Sequence, residues 1–274
     1  MQQAGPIGVF DSGYGGLTVY KELVKALPQY DFVYLGDNAR VPYGTRSFET
    51  VYQYTWQCVQ QLFKLNCHLV ILACNTASAK ALRSIQQNDL PKFKEHKRVL
   101  GVLRPSTEKA GEMTKSGHLG IFATEGTVRS KSYEIEIAKF FPEVEVSQQA
   151  CPMWVPLVEN DEYDKLGADY FVKQYIEALL AQDADIDMVL LACTHYPLLE
   201  PKIKEFLPEH IQVVSQGELV ANSLKDYLNR HQEMDSLITK SGKRQFFTTE
   251  SPEKFSDKAE LFLGEEIEVE KVYV

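Results

Sequence analysis

The chain has 274 residues, 44% of them apolar and 24% charged, which is the composition of an ordinary soluble globular protein with material for one large or two medium domains. Its 29 basic and 38 acidic residues leave a formal charge of −9, which argues against a general nucleic-acid surface. The segment from Met1 to Pro6 has no basic cluster or long apolar run, and nothing later approaches the roughly 20 apolar residues of a membrane span; a cytoplasmic protein is expected.

Short apolar runs alternate with helical patterns along most of the chain, which predicts β-α units and mainly parallel sheets flanked by helices. The first run, Ile7 to Phe10, leads into Asp11-Ser12-Gly13-Tyr14-Gly15-Gly16. Leu17, Tyr20, Val24 and Leu27 then fall at helical spacing before Pro28 stops the helix. Phe32 to Gly36 runs up to Asp37, Pro42-Tyr43-Gly44 reads as a turn, and a long amphipathic helix follows with Phe48, Val51, Tyr52, Thr55, Val59, Leu62 and Phe63 on one face. Leu69 to Ala73 is the third strand.

A charged stretch from Lys92 to Arg98 reads as a surface connection, after which the pattern restarts: Val99 to Leu103, Leu119 to Ala123 ending at Thr124, Val144 to Val146, and Met188 to Ala192. Ile211 to Val214 follows, then a helix from Glu218 to about Arg230, and a tail with apolar runs at Phe246-Phe247 and Ile267 to Val274. The expected plan is two similar α/β lobes, residues 1–98 with 212–274 and residues 99–211, with the active site in the cleft between them.

Two of these runs echo each other about half a chain apart: Val70-Ile71-Leu72-Ala73-Cys74-Asn75-Thr76-Ala77 and Val189-Leu190-Leu191-Ala192-Cys193-Thr194-His195-Tyr196. Each delivers a cysteine to the end of an apolar strand, where ligands collect in open α/β sheets. The plainer reading of either cysteine is a small buried apolar residue. Packing alone, however, would accept Val or Ala and would not call for polar neighbours each time. Cys58, Cys67 and Cys151 have no such setting and are read as structural. Five cysteines with no C-x-x-C spacing point to reduced thiols rather than a disulfide framework, zinc site or thioredoxin-type pair.

The glycine-rich turn after Asp11 has neither the G-x-G-x-x-G spacing of a dinucleotide fingerprint nor the ending of a P-loop. It reads equally as an anion cradle or as a tight turn with Asp11 capping the helix. His195 stands beside a candidate reactive thiol, where it can orient or polarise a neighbour; a helix-start histidine bonded to backbone is the plainer alternative. Glu159 reads as a surface carboxylate by pattern alone. Two thiols facing one ligand suit a reaction that removes a proton from one face of a carbon and returns one to the other. A thiol with an ordinary pKa of about 8.5 can be held as thiolate on one side and as thiol on the other. That chemistry is racemisation or epimerisation.

At these residues the sequence resembles the glutamate racemases, pyridoxal-independent members of the aspartate/glutamate racemase superfamily. The matching segments are Phe10 to Gly13 with Gly15 to Thr18, Asp37 with Pro42 to Gly44, Ala73 to Ala77, Ala123 to Thr127, Pro156 to Glu159, and Ala192 to Pro197. The resemblance implies interconversion of L- and D-glutamate without cofactor or metal, supplying D-glutamate for peptidoglycan. It implies that Cys74 and Cys193 are the two acid/base residues, with Asp11 assisting near Cys74 and Glu159 and His195 near Cys193. Asp11, Ser12, Pro42, Tyr43, Gly44, Asn75, Thr76, Thr194 and His195 would bind substrate. Leu103 to Ser106 and Ser215 to Glu218 depart from the commoner family wording and are given no role.

Some family members carry an N-terminal extension linked to activation by a peptidoglycan precursor; with six residues before the first strand, no dependence on that activator is expected. A homodimer is expected, with neither nucleic-acid nor membrane partner. Two other readings stand beside this one: a racemase for aspartate or another small acidic amino acid, and a non-catalytic binding descendant of the fold. Cys193-Thr194-His195 favours the glutamate branch, and retention of both cysteines with Asp11 and His195 favours catalysis.

Overall fold

The computed structural model describes residues 3–93 and 96–274; the segment from Met1 to Pro6 and the charged connection from Lys92 to Arg98 therefore lie partly outside the described residues. Among the described residues the strands are β1 (Ile7–Asp11), β2 (Phe32–Gly36), β3 (Leu69–Leu72), β4 (Arg98–Gly101), β5 (His118–Ala123), β6 (Glu145–Ala150), β7 (Met188–Ala192), β8 (Gln212–Ser215), β9 (Arg244–Thr248) and β10 (Val269–Lys271). They form a six-stranded sheet in the order β10-β9-β2-β1-β3-β4 and a four-stranded sheet in the order β6-β5-β7-β8. Every pairing is parallel.

The residues explain which strands lie inside. Ile7-Gly8-Val9-Phe10, Leu69 to Leu72 and Met188 to Ala192 are unbroken apolar runs, buried at every position, as parallel strands covered on both faces must be. β6 and β10 carry Glu145, Gln148, Gln149, Glu270 and Lys271, and they occupy sheet edges.

The chain divides into two compact units, residues up to Val102 with Gly217–Val274, and Leu103–Gln216. These boundaries differ from those read in the sequence, 1–98 with 212–274 and 99–211. The run at Val99 does not start a new sheet: Arg98 to Gly101 pairs with Leu69 to Leu72, and Leu103 opens a helix. At the other crossing Gln212 to Ser215 pairs with Met188 to Leu191, so that strand belongs to the second sheet.

Helix Leu17–Ala26 ends before Pro28 and packs against helix Gly217–Arg230 of the same unit. Helix Phe48–Lys64 is opened by Ser47, whose side chain accepts from the Thr50 amide. It buries Val51, Thr55, Cys58, Val59, Leu62 and Phe63, while Phe48, expected on that face, sits in the first turn and is exposed. Among the described residues no helix is long and apolar enough to cross a membrane.

Candidate active site

Within the first unit β1 and β3 are neighbours, with Phe10 opposite Leu72 and the Ala73 amide bonded to the Phe10 carbonyl at 2.8 Å. Parallel pairing sends both chains off the same edge, so Asp11-Ser12 and Cys74-Asn75-Thr76 emerge side by side. Ser12 Oγ lies 3.4 Å from Cys74 Sγ. Cys74 has an extended backbone and caps helix Asn75–Lys80, its sulfur accepting from the Ala77 amide at 3.4 Å. Asn75 and Thr76 are buried beside it.

Asp11 is fully buried and accepts from the Gly13 amide at 2.8 Å. It does not cap the following helix, which begins after Gly16 without a side-chain cap, because the carboxylate is spent on the tight turn instead. Gly16 permits this arrangement: a Cβ there would stand 2.4 Å from Asp11 Cβ and 2.9 Å from the Tyr34 hydroxyl. That hydroxyl donates to the Gly13 carbonyl at 3.0 Å. Burial, with Asp11 and Cys74 nearby, pushes the Tyr34 phenol well above its ordinary range.

Pro42-Tyr43-Gly44 follows β2 in a loop joined to the Cys74 helix by a 2.7 Å bond from Lys80 Nζ to the Arg46 carbonyl. The Val41-Pro42 peptide is cis. The Tyr43 ring is buried against Phe10, and its hydroxyl donates to Asp37. Asp37 also accepts from Arg40 Nε at 2.6 Å and from Thr249 Oγ1 at 2.8 Å, so this strand-end carboxylate braces its own loop. What Tyr43 leaves for a ligand is its backbone.

In the second unit Cys193 and His195 follow β7, and Glu159 ends helix Trp154–Glu159. His195 Nδ1 is 4.0 Å from Cys193 Sγ, and Nε2 is 3.1 Å from Glu159 Oε1. Glu159 is thus a partly buried partner of a histidine, not the free surface carboxylate its local pattern suggests. Burial pulls the His195 imidazole down, but hydrogen bonds to Cys193 and Glu159 outweigh it and raise the group to about 10. The resulting imidazolium can stabilise negative charge on the sulfur and supply a proton to its surroundings. Thr194 is buried between them in sequence. Thr124, another strand-end hydroxyl, caps helix Glu125–Ser130 through the Thr127 amide.

Cys58, Cys67 and Cys151 are buried and free, and burial raises the thiol of each, Cys67 to about 12. Among the described residues the donor group suited to a metal is His118 with Asp183 and Asp185. It lies at the start of β5, the opposite end of the sheet from Cys193, and His118 Nδ1 is paired with Asp183 at 2.8 Å. Tyr34 and Tyr133 have no assigned role in the sequence, and Ser106 and Gln216 lie in the two segments that depart from the family wording and are given none. Gln216 Nε2 donates to Ser106 Oγ at 2.7 Å and to the Tyr133 hydroxyl at 2.6 Å, wholly inside the second unit. A tyrosine within the otherwise apolar run at Phe32 to Leu35 is the available signal for Tyr34, the departure from the family wording is the one for Ser106 and Gln216, and Tyr133 carries none.

Residues 7–224 match the model of the Asp/Glu/hydantoin racemases. The chain belongs to that family. Among its relatives are the glutamate racemases of Geobacter metallireducens, 41% identical over 94% of this chain and 92% of that one, and of Roseobacter denitrificans, 41% identical over 96% and 98%. Similar solved racemases include glutamate racemase isoform RacE1 from Bacillus anthracis, with a TM-score of 0.89, 36% identity and 98% of each chain covered. The glutamate racemase of Francisella tularensis, solved with D-glutamate, gives a TM-score of 0.86 at 30% identity, again with 98% of each covered. The aspartate racemase of Picrophilus torridus shares the fold, at 17% identity and a TM-score of 0.55 over 82% of this chain and 95% of that one.

Proposed function

We propose that this protein interconverts L- and D-glutamate by a two-base mechanism in which Cys74 and Cys193 act on opposite faces of one α-carbon. The observation that carries it is that each thiol sits at the carboxyl end of a buried strand with its own polar partner, Ser12 for Cys74 and the His195–Glu159 pair for Cys193. In one direction a thiolate takes the α-proton, the Cα–H electron pair passes into the α-carboxylate, and the opposite thiol donates its proton to the other face. The inverted amino acid leaves the two sulfurs with exchanged protonation states, ready for the reverse reaction.

Hydroxyl, amide and backbone N–H donors at Ser12, Asn75, Thr76, Thr194 and the Pro42-Tyr43-Gly44 loop would hold the two carboxylates of glutamate, and Asp11 would assist on the Cys74 side. No cofactor is required by this chemistry. Glutamate is preferred to aspartate because relatives at 41% identity over nearly the whole chain are glutamate racemases, whereas the aspartate racemase of P. torridus stands at 17%. The same reading makes the product D-glutamate for peptidoglycan, formed in the cytoplasm by a homodimer.

The test is incubation with L-glutamate in heavy water, following optical rotation and α-deuterium for wild type, Cys74→Ser and Cys193→Ser. Both variants are expected to lose racemisation by roughly 100-fold or more, the usual contribution of a positioned acid/base group. Undiminished racemisation in either one removes the two-base mechanism. Uptake of glutamate by calorimetry without interconversion by the wild type would identify a binding protein instead.

A further inference from the structure

His195 faces Cys193 with one ring nitrogen and Glu159 with the other, yet His195 and Glu159 come from elements that are not adjacent in the sheet. Helix Trp154–Glu159 follows β6, the turn bearing Cys193 and His195 follows β7, and β5 lies between those strands. We propose that Tyr196 is the positioning residue that locks these two elements together, its hydroxyl and the first amide of the Glu159 helix sharing the Cys151 carbonyl. The proposal rests on the roles given above to His195 and Glu159.

The Tyr196 hydroxyl donates to the Cys151 carbonyl at 3.2 Å, and the same oxygen accepts from the Trp154 amide at 3.2 Å. The Tyr196 amide in turn donates to the Cys193 carbonyl at 3.1 Å, so one residue is bonded at its backbone to the thiol's turn and at its tip to the root of the neighbouring helix. The rings repeat the linkage. Tyr196 and Trp154 are both fully buried and meet edge to face, centroids 4.8 Å apart at 79°, with Phe122 of β5 4.9 Å from Trp154 on another side. A helix of six residues is about 9 Å long, so a tilt at its root is carried straight to Glu159 at its end.

Tyr196→Phe removes the hydroxyl and keeps the ring. Its kcat for glutamate should fall roughly tenfold with KM nearly unchanged, since misplacement of a catalytic neighbour acts on the transition state more than on binding. The imidazole of His195, followed by NMR of histidine-labelled protein, should titrate below its wild-type value, because Cys193 and Glu159 are the groups that raise it. In a Glu159→Gln background the tyrosine change should cost nothing further, which a purely structural role would not produce.

Wild-type kcat and titration in Tyr196→Phe, or losses that simply add in the double variant, would overturn the proposal. If His195→Asn and Glu159→Gln both racemise like wild type, the roles assigned to the pair fail and this inference falls with them. If those two are impaired while Tyr196→Phe is silent, only the positioning role is lost. Should Tyr196→Phe not give folded protein, Trp154→Phe, which thins the same contact, takes its place in the cycle with the same outcomes.

Discussion

Glu159 holds His195 by a 3.1 Å contact at Nε2, at the opposite side of the ring from Cys193. Hydrogen bonds to Cys193 and to Glu159 together raise the imidazole from its ordinary 6.5 to about 10 despite burial, which by itself lowers it. A histidine raised in the fold keeps a proton that the unfolded chain has released, so its stabilising contribution is complete below the unfolded value and declines as pH rises through the folded one. Glu159→Gln should lower the His195 titration and flatten the loss of stability between about pH 6.5 and about pH 10, read from urea midpoints across that window. A decline as steep as that of the wild type would contradict this account.

Gly16→Ala should displace Asp11. The added Cβ would stand 2.4 Å from Asp11 Cβ and 2.8 Å from its Cγ, with the buried Tyr34 hydroxyl 2.9 Å away, so no flexible side-chain end is available to yield. Overpacking of this kind costs about 1–3 kcal/mol. The expected result is a lower melting temperature together with a clear fall in kcat, because the strand-end segment that moves also carries Ser12, the partner of Cys74. Wild-type kinetics would show that Asp11 tolerates the shift.

Tyr43→Phe separates bracing from catalysis. The phenol donates to the buried carboxylate of Asp37, and loss of a hydrogen bond to a charged group costs about 1.5–3 kcal/mol. Chemical denaturation should show that loss, while kcat stays close to wild type, since the hydroxyl is turned away into the loop's own support. A large drop in kcat with stability unchanged would place the hydroxyl on the substrate.

Ser47→Ala should cost about 1 kcal/mol by leaving the first turn of helix Phe48–Lys64 uncapped. Glutamate racemisation should be unaffected. Thermal unfolding and a standard assay are sufficient to check both.

The parallel α/β plan was legible because the runs ending at Phe10, Leu72 and Ala192 are unbroken by polar residues, and only covered parallel strands accept that pattern. The place where the chain passes from one sheet to the other was not. Val99 to Leu103 looks like any first strand, and its pairing with β3 is decided by register with residues 29 positions earlier. Cys74 and Cys193 stood out by their repeated setting. Glu159 did not, because its partner His195 is 36 positions away and nothing in Pro156-Leu157-Val158-Glu159 signals it. Asp37, also at a strand end, is consumed by Arg40, Tyr43 and Thr249, partners that its own run does not signal.

The sulfur of Cys74 opens a helix as well as facing Ser12, whereas that of Cys193 looks to a side chain. An electrophile that alkylates Cys74 therefore strips an amide of its acceptor and frays the segment carrying Asn75 and Thr76, so the injury spreads into the scaffold. The same reagent on Cys193 meets a side chain instead, the His195 ring 4.0 Å from the sulfur. Two sulfurs matched in chemistry are thus unequal as targets for covalent inhibition: in the two-base reading an adduct on either stops the reaction, and the difference between them registers in unfolding temperature.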